Sequence, residues 1–128
     1  MLNRKLLMIP GPTPVTPSIM MEMGRKTVSF KDQEFVDDFK SLIIDLKEMW
    51  QSEESFVIAG SGTLGMEIAI ANSIKTSDSV LVVSHGYFGE RFVDILNRRG
   101  VKVDVLECEW GKTVELKLIR ETVKARSY

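Results

Sequence analysis

Two hydrophobic rhythms run along this chain. A three-to-four-residue spacing marks amphipathic helices, and short continuous apolar runs mark buried strands. The longest helical rhythm extends from Asp32 to about Ser52, with Phe35, Phe39, Leu42, Ile43, Leu46, Met49 and Trp50 on one stripe. Asp32 suits the N-cap, where a carboxylate accepts from the free N–H groups of the first turn. The aromatic residues of this stripe are expected in a core or an interface. Beyond it the pattern alternates. Ser55-Phe56-Val57-Ile58-Ala59 is expected as a short buried strand and Thr63 to Ile74 as a helix. Val80-Leu81-Val82-Val83 reads as a second strand, and Glu90 to Arg99 as a helix closed by Gly100. Val101 to Leu106 reads as a third strand. Val114 to Ala125 reads as an amphipathic helix, with Leu116, Ile119 and Val123 on one face and Glu115, Lys117, Arg120 and Lys124 around the other.

Such alternation predicts an α/β fold, a mostly parallel sheet with flanking helices joined by right-handed crossovers. Ahead of it, Pro10, Pro12, Pro14 and Pro17, together with Gly11, keep the chain extended. Thr16 is the expected cap of a short helix with Pro17 at its first position and Gly24 as its stop. Met20, Met21 and Met23 lie on that helix as adaptable packing residues. The division this implies is an N-terminal arm, 1–29, and a partial α/β domain, 30–128. In an alternating pattern a helix leads into another strand, and none follows Ala125, so the sequence is expected to be truncated after 128.

Seventeen basic residues against eighteen acidic ones give no electrostatic footprint for nucleic acid or a membrane surface. Cys108 is the single cysteine, which rules out an internal disulfide and fits a reducing, cytoplasmic setting. The apolar start is broken by Pro10 before it could form a signal core, and no stretch approaches a spanning helix.

Candidate chemistry concentrates in Ile58-Ala59-Gly60-Ser61-Gly62-Thr63-Leu64-Gly65-Met66-Glu67, between a strand and a helix. The free N–H groups and dipole of a first helical turn attract an anion, glycines let the backbone approach it, and Ser61 and Thr63 add hydroxyl donors. An ordinary tight turn capped by Ser61 explains the same residues. Gly60, Gly62 and Gly65 also match the spacing of a dinucleotide fingerprint. That fingerprint expects an acid after the next strand, however, and the strand ends Val83-Ser84-His85-Gly86. A P-loop is excluded, because no Gly-Lys-Ser/Thr follows. The second constellation is Ser84-His85-Gly86-Tyr87-Phe88-Gly89-Glu90-Arg91, where glycines flanking two aromatics could turn a ring toward a ligand or plug the sheet edge. His85, the only histidine, has no neighbouring cluster that would make a metal site or a triad.

Taken together, Pro10-Gly11-Pro12-Thr13-Pro14-Val15, Gly60-Ser61-Gly62-Thr63, Gly86-Tyr87-Phe88-Gly89-Glu90-Arg91 and Glu109-Trp110-Gly111-Lys112 resemble the class V aminotransferases. The likeness is to alanine–glyoxylate and serine–pyruvate enzymes, and it spans nearly the whole chain in order. It implies the N-terminal part of a fold-type-I large domain in a homodimer that uses pyridoxal 5'-phosphate. By that resemblance Ser61, Gly62 and Thr63 hold the cofactor phosphate and Phe88 stacks on its ring. Pro10-Gly11-Pro12 lies near the active-site mouth, with Gly11 on the substrate side. The implied reaction moves an amino group from a small amino acid, alanine or serine, to glyoxylate or pyruvate. The alternatives are a nucleotide-binding Rossmann-like domain using Gly60 to Gly65 and a non-catalytic dimerisation fragment. Two positions depart from the family pattern: Phe30-Lys31 stands where a His-Arg pair is usual, and His85 where asparagine is usual. No catalytic residue is assigned, because the Schiff-base lysine and the Asp paired with the pyridine nitrogen are expected beyond Tyr128. The piece alone is therefore expected not to turn over.

Overall fold

The computed structural model describes residues 5–128. They form two compact units, one ending at Val57 and the other covering Ile58–Tyr128. In the first, α1 (Pro17–Met23) begins with proline at its first position, as its fixed φ favours. The Thr16 hydroxyl makes no cap bond to the helix and pairs instead with Ser18 Oγ at 2.9 Å. Helix α2 (Gln33–Trp50) is capped by Asp32, which accepts from the Glu34 N–H at 3.4 Å. It ends at Gln51, a left-handed residue with φ 49°, whose N–H meets the Lys47 and Glu48 carbonyls. Phe35 and Phe39 stack with centroids 6.0 Å apart. No residue of α2 is buried, so the stripe expected in a core or an interface is not core among the described residues.

The second unit runs α3 (Gly62–Ser73), β1 (Ser79–Ser84), α4 (Tyr87–Arg98), β2 (Lys102–Glu107) and α5 (Leu116–Ala125). β1 and β2 pair in parallel, from Ser79 opposite Lys102 to Ser84 opposite Glu107. Parallel neighbours need a crossover, and α4 supplies it, packing on both strands. Ile70, Val82, Ile95, Leu96 and Val101 form the core, with Leu96 only 1% exposed. Alternation along the strands turns Val80 and Val82 of β1 and Val103 of β2 toward this core, while Met66, Phe92 and Val93 close around it. At the end of α4, Gly100 has φ +72°, a conformation that favours glycine after a helix.

Among the described residues the sheet has two strands where the sequence predicts three. Residues 55–59 have no ladder partner, and Phe56 is 80% exposed. An apolar run is a strand only when a neighbour takes up its N–H and C=O groups, and none does so here. After α5, the chain turns back to β2: Arg126 and the Tyr128 hydroxyl both donate to Asp104, the latter at 3.1 Å.

Candidate functional site

The start of α3 makes the first half of the site. The Leu64 N–H donates to Ser61 Oγ at 3.2 Å, and the Gly65 N–H donates to the Ser61 carbonyl at 3.2 Å. That leaves the Gly62 and Thr63 N–H groups without an acceptor among the described residues. A Cβ placed on Gly62 or Gly65 would meet nothing within 4 Å, so open space borders the turn. Gly60 is different: a Cβ there would stand 2.3 Å from Leu64 Cδ2. The first turn of α3 holds no acidic residue, and Ser61 and Gly62 are exposed. Free donors, the positive end of the dipole and room for a ligand together suit an anion. The structure shows Ser61 in its capping role. Its oxygen caps the helix as an acceptor, and its hydroxyl proton is left for an oxygen of a ligand.

The second half is the start of α4. The sequence predicts this helix from Glu90, whereas it begins at Tyr87, because Gly86 takes the cap position and its carbonyl accepts the Glu90 N–H at 3.2 Å. Tyr87 and Phe88 are therefore helical and not loop residues. Phe88 is 55% exposed and meets Tyr87 edge-on, with centroids 5.6 Å apart and planes at 82°. Arg91 lies over the Tyr87 ring at 5.3 Å and also donates to its hydroxyl. Sequence reasoning missed this Arg91 contact, although the four-residue spacing of Tyr87 and Arg91 on a helix is the signal that reveals it. Gly89 permits a close approach: a Cβ there would stand 2.7 Å from Ser84 Cα. His85 is exposed and borders an open hollow with Lys112, Thr113 and Ile119. No group of three or more His, Cys, Asp and Glu side chains suited to a metal ion occurs among the described residues. Gly11 is exposed in the other compact unit.

The described residues thus offer an N-terminal helical turn with two idle donors and, at the start of the next helix in sequence, an exposed ring. Known proteins place the chain. It is 37% identical over 119 residues to an uncharacterized aminotransferase of Methanocaldococcus jannaschii, covering 92% of this chain and 31% of that protein. It is 34% identical over 131 residues to alanine–glyoxylate aminotransferase 1 of Saccharomyces cerevisiae, covering 95% of this chain and 34% of the relative. The crystal structure of an alanine–glyoxylate aminotransferase from Nostoc sp. superposes with a TM-score of 0.76 at 30% identity, over 97% of this chain and 35% of that one. No protein-family model matches the chain. The homologues are alanine– and serine–glyoxylate aminotransferases and related class V aminotransferases. The chain spans about a third of the length of the relatives it matches. Homologues of this class generally use pyridoxal phosphate. No helix among the described residues is long and apolar enough to cross a membrane.

Proposed function

We propose that this chain forms the cofactor-phosphate seat of an aminotransferase that moves an amino group from a small amino acid, alanine or serine, to glyoxylate or pyruvate. The observation that carries the reading is the pair of unpartnered N–H groups at Gly62 and Thr63 beside the open space of Gly62 and Gly65. The residues present fit pyridoxal 5'-phosphate. Gly62 and Thr63 would donate backbone N–H groups to its phosphate, Ser61 and Thr63 would add hydroxyls, and the exposed Phe88 ring would lie against the pyridine. When bound, the cofactor supplies an electron sink for the charge developing at the substrate α-carbon. The chain's own share is orientation. The α3 dipole holds the dianion in place, and the edge-on Tyr87 and the Arg91 guanidinium keep the Phe88 platform from turning away.

The support for a glyoxylate acceptor is the kinship with alanine–glyoxylate aminotransferases. We also assign Gly11 to the substrate side of the mouth, a homodimer as the working assembly and the cytoplasm as its place. The dinucleotide alternative loses ground at the end of β1, where Ser84 and His85 stand in place of an acid. The test is binding of pyridoxamine 5'-phosphate to the 128-residue chain, followed by the ligand's fluorescence, with pyridoxamine as the control. The phosphorylated form is expected to bind and the unphosphorylated form not to. Equal binding of both, or of neither, would refute the phosphate seat.

A further inference from the structure

Val80 and Val82 of β1 and Val103 of β2 face α4, so alternation turns Leu81, Val83, Asp104 and Leu106 to the opposite face of the sheet. Helix α5 lies over that second face, and it is held there differently from α4. None of its ten residues is buried. Open hollows of about 550 and 740 Å³ lie beside it, both lined by Val83 and Ile119. Empty space next to an apolar side chain is lost dispersion contact, so packing contributes little to holding this helix. Nor does a helix of that length persist in water on its own. What holds it lies at its two ends. Before it, the Cys108 N–H donates to the Ser84 carbonyl at 2.8 Å and the Lys112 N–H to the Glu109 carbonyl at 3.1 Å, which fixes the chain as far as Lys112. Gly111, within that turn, has φ +77°. After the helix, Arg126 and the Tyr128 hydroxyl converge on the Asp104 carboxylate. Among the described residues, no other hydrogen bond or ion pair joins residues 113–128 to the rest of the chain.

We infer that residues 113–128 form a strap across the second sheet face, hinged at Gly111 and latched at Asp104, which opens while β1, α4 and β2 stay folded. The core lies on the other face and takes no residue from the strap, so opening leaves it intact. Glycine crosses between positive and negative φ without the steric cost other residues meet, which suits Gly111 to the hinge. The latch is a solvent-exposed charge pair, strong enough to fix one end of a poorly packed helix and weak enough to yield to salt. Opening joins the two hollows into one apolar groove along Leu81 and Val83.

The test is hydrogen exchange of the 128-residue chain, followed by mass spectrometry of peptides from α5 and from α4. Amides of α5 are expected to exchange faster than those of α4, through opening of the strap alone. Asp104→Asn is expected to speed α5 exchange about fivefold and leave α4 unchanged. Gly111→Ala places a side chain at positive φ in the closed form and is expected to speed α5 about tenfold, again without moving α4. Salt supplies a measurement free of mutation. Raising the potassium chloride concentration is expected to speed α5 in the parent chain, by screening the latch, and to leave α5 of Asp104→Asn unaffected. Exchange of α5 as slow as that of α4 would overturn the strap, since α5 would then open only with the whole unit. Equal acceleration of α4 and α5 in Asp104→Asn would overturn it too, as would an α5 indifferent to both the substitution and salt. None of these readouts involves the phosphate seat at α3, so failure here leaves that reading standing, and the reverse holds too.

Discussion

Ser61 Oγ accepts the Leu64 N–H, so Ser61→Ala is expected to cost about 1 kcal/mol of stability, measured by urea unfolding. Ser61→Asp separates this structural role from the proposed ligand role. An aspartate caps as well as serine and favours the helix dipole, so stability is held, while its charge repels a phosphate and pyridoxamine 5'-phosphate binding is lost. If Ser61→Asp still binds that ligand, the hydroxyl does not face the phosphate. Glycine-to-alanine changes make an equally sharp contrast. At Gly89 a Cβ would press on Ser84 backbone and side chain at 2.6–3.0 Å, and the helix must shift, at a cost of about 1–3 kcal/mol. At Gly65, inside α3 with nothing within 4 Å, the same change is expected to gain about 0.5–1 kcal/mol from helix propensity. Thermal melts of the two variants should move in opposite directions.

Among the elements, α4 carries the fold, because it packs on both strands. Leu96 is its most buried side chain, and Leu96→Ala is expected to cost about 2–5 kcal/mol and melt β1 and β2 with it. How much of this was legible varied with the interaction responsible. The cap of α2 at Asp32 and that of α3 at Ser61 are local contacts, two and three residues long, and the sequence shows both. The Ser61–Thr63 turn was legible for the same reason, since glycines and hydroxyls opening a helix announce idle donors. The sequence places the start of α4 three residues late because Gly86 and Gly89 look like loop residues, whereas one is a cap and the other a contact with β1. That contact joins α4 to the buried Ser84, and only the packing of helix on strand reveals it. The missing strand at residues 55–59 has the same origin, for pairing depends on a neighbour and not on the run itself. The tie of Asp104 to Arg126 and Tyr128 spans more than twenty residues and carries no periodic signal. It has a clear pH signature. The Arg126 hydrogen bond holds the Asp104 carboxyl below its ordinary value of 3.8, while burial and the bond to Asp104 push the Tyr128 hydroxyl above 10.0. A lowered carboxylate stabilises above its unfolded value and loses that contribution as pH falls through the folded one. A raised phenol stabilises below its unfolded value and loses that contribution as pH rises through the folded one. The tie is therefore expected to hold between about pH 4 and pH 10 and to release outside that window, with Asp104→Asn releasing it throughout. Proteolysis at Arg126 across pH, with a protease active over the range, reads the release, and pH-independent cleavage in both chains would remove the tie.

At the scale of the whole molecule, the two units differ in what holds them. The second has a core in which Ile70, Val82, Ile95, Leu96 and Val101 exclude water from one another. In the first, neither α1 nor α2 buries a residue, and the apolar stripe of α2 leaves Met49 and Trp50 exposed. Helical stability in proteins comes chiefly from packing an apolar face, and an 18-residue helix without it is marginal in water. Local opening free energies should divide accordingly. In the 128-residue chain, backbone amides of β1, α4 and β2 are expected to exchange only through global unfolding, and those of α1 and α2 orders of magnitude faster. Hydrogen exchange followed by mass spectrometry of peptides on either side of Val57 measures the difference directly. Slow exchange in α2 equal to that in α4 would mean that its Phe35 to Trp50 stripe is covered in solution, and a dilution series would then tell the source of the cover. Protection that fades on dilution comes from a second copy, as the proposed homodimer requires, whereas protection independent of concentration comes from within the chain.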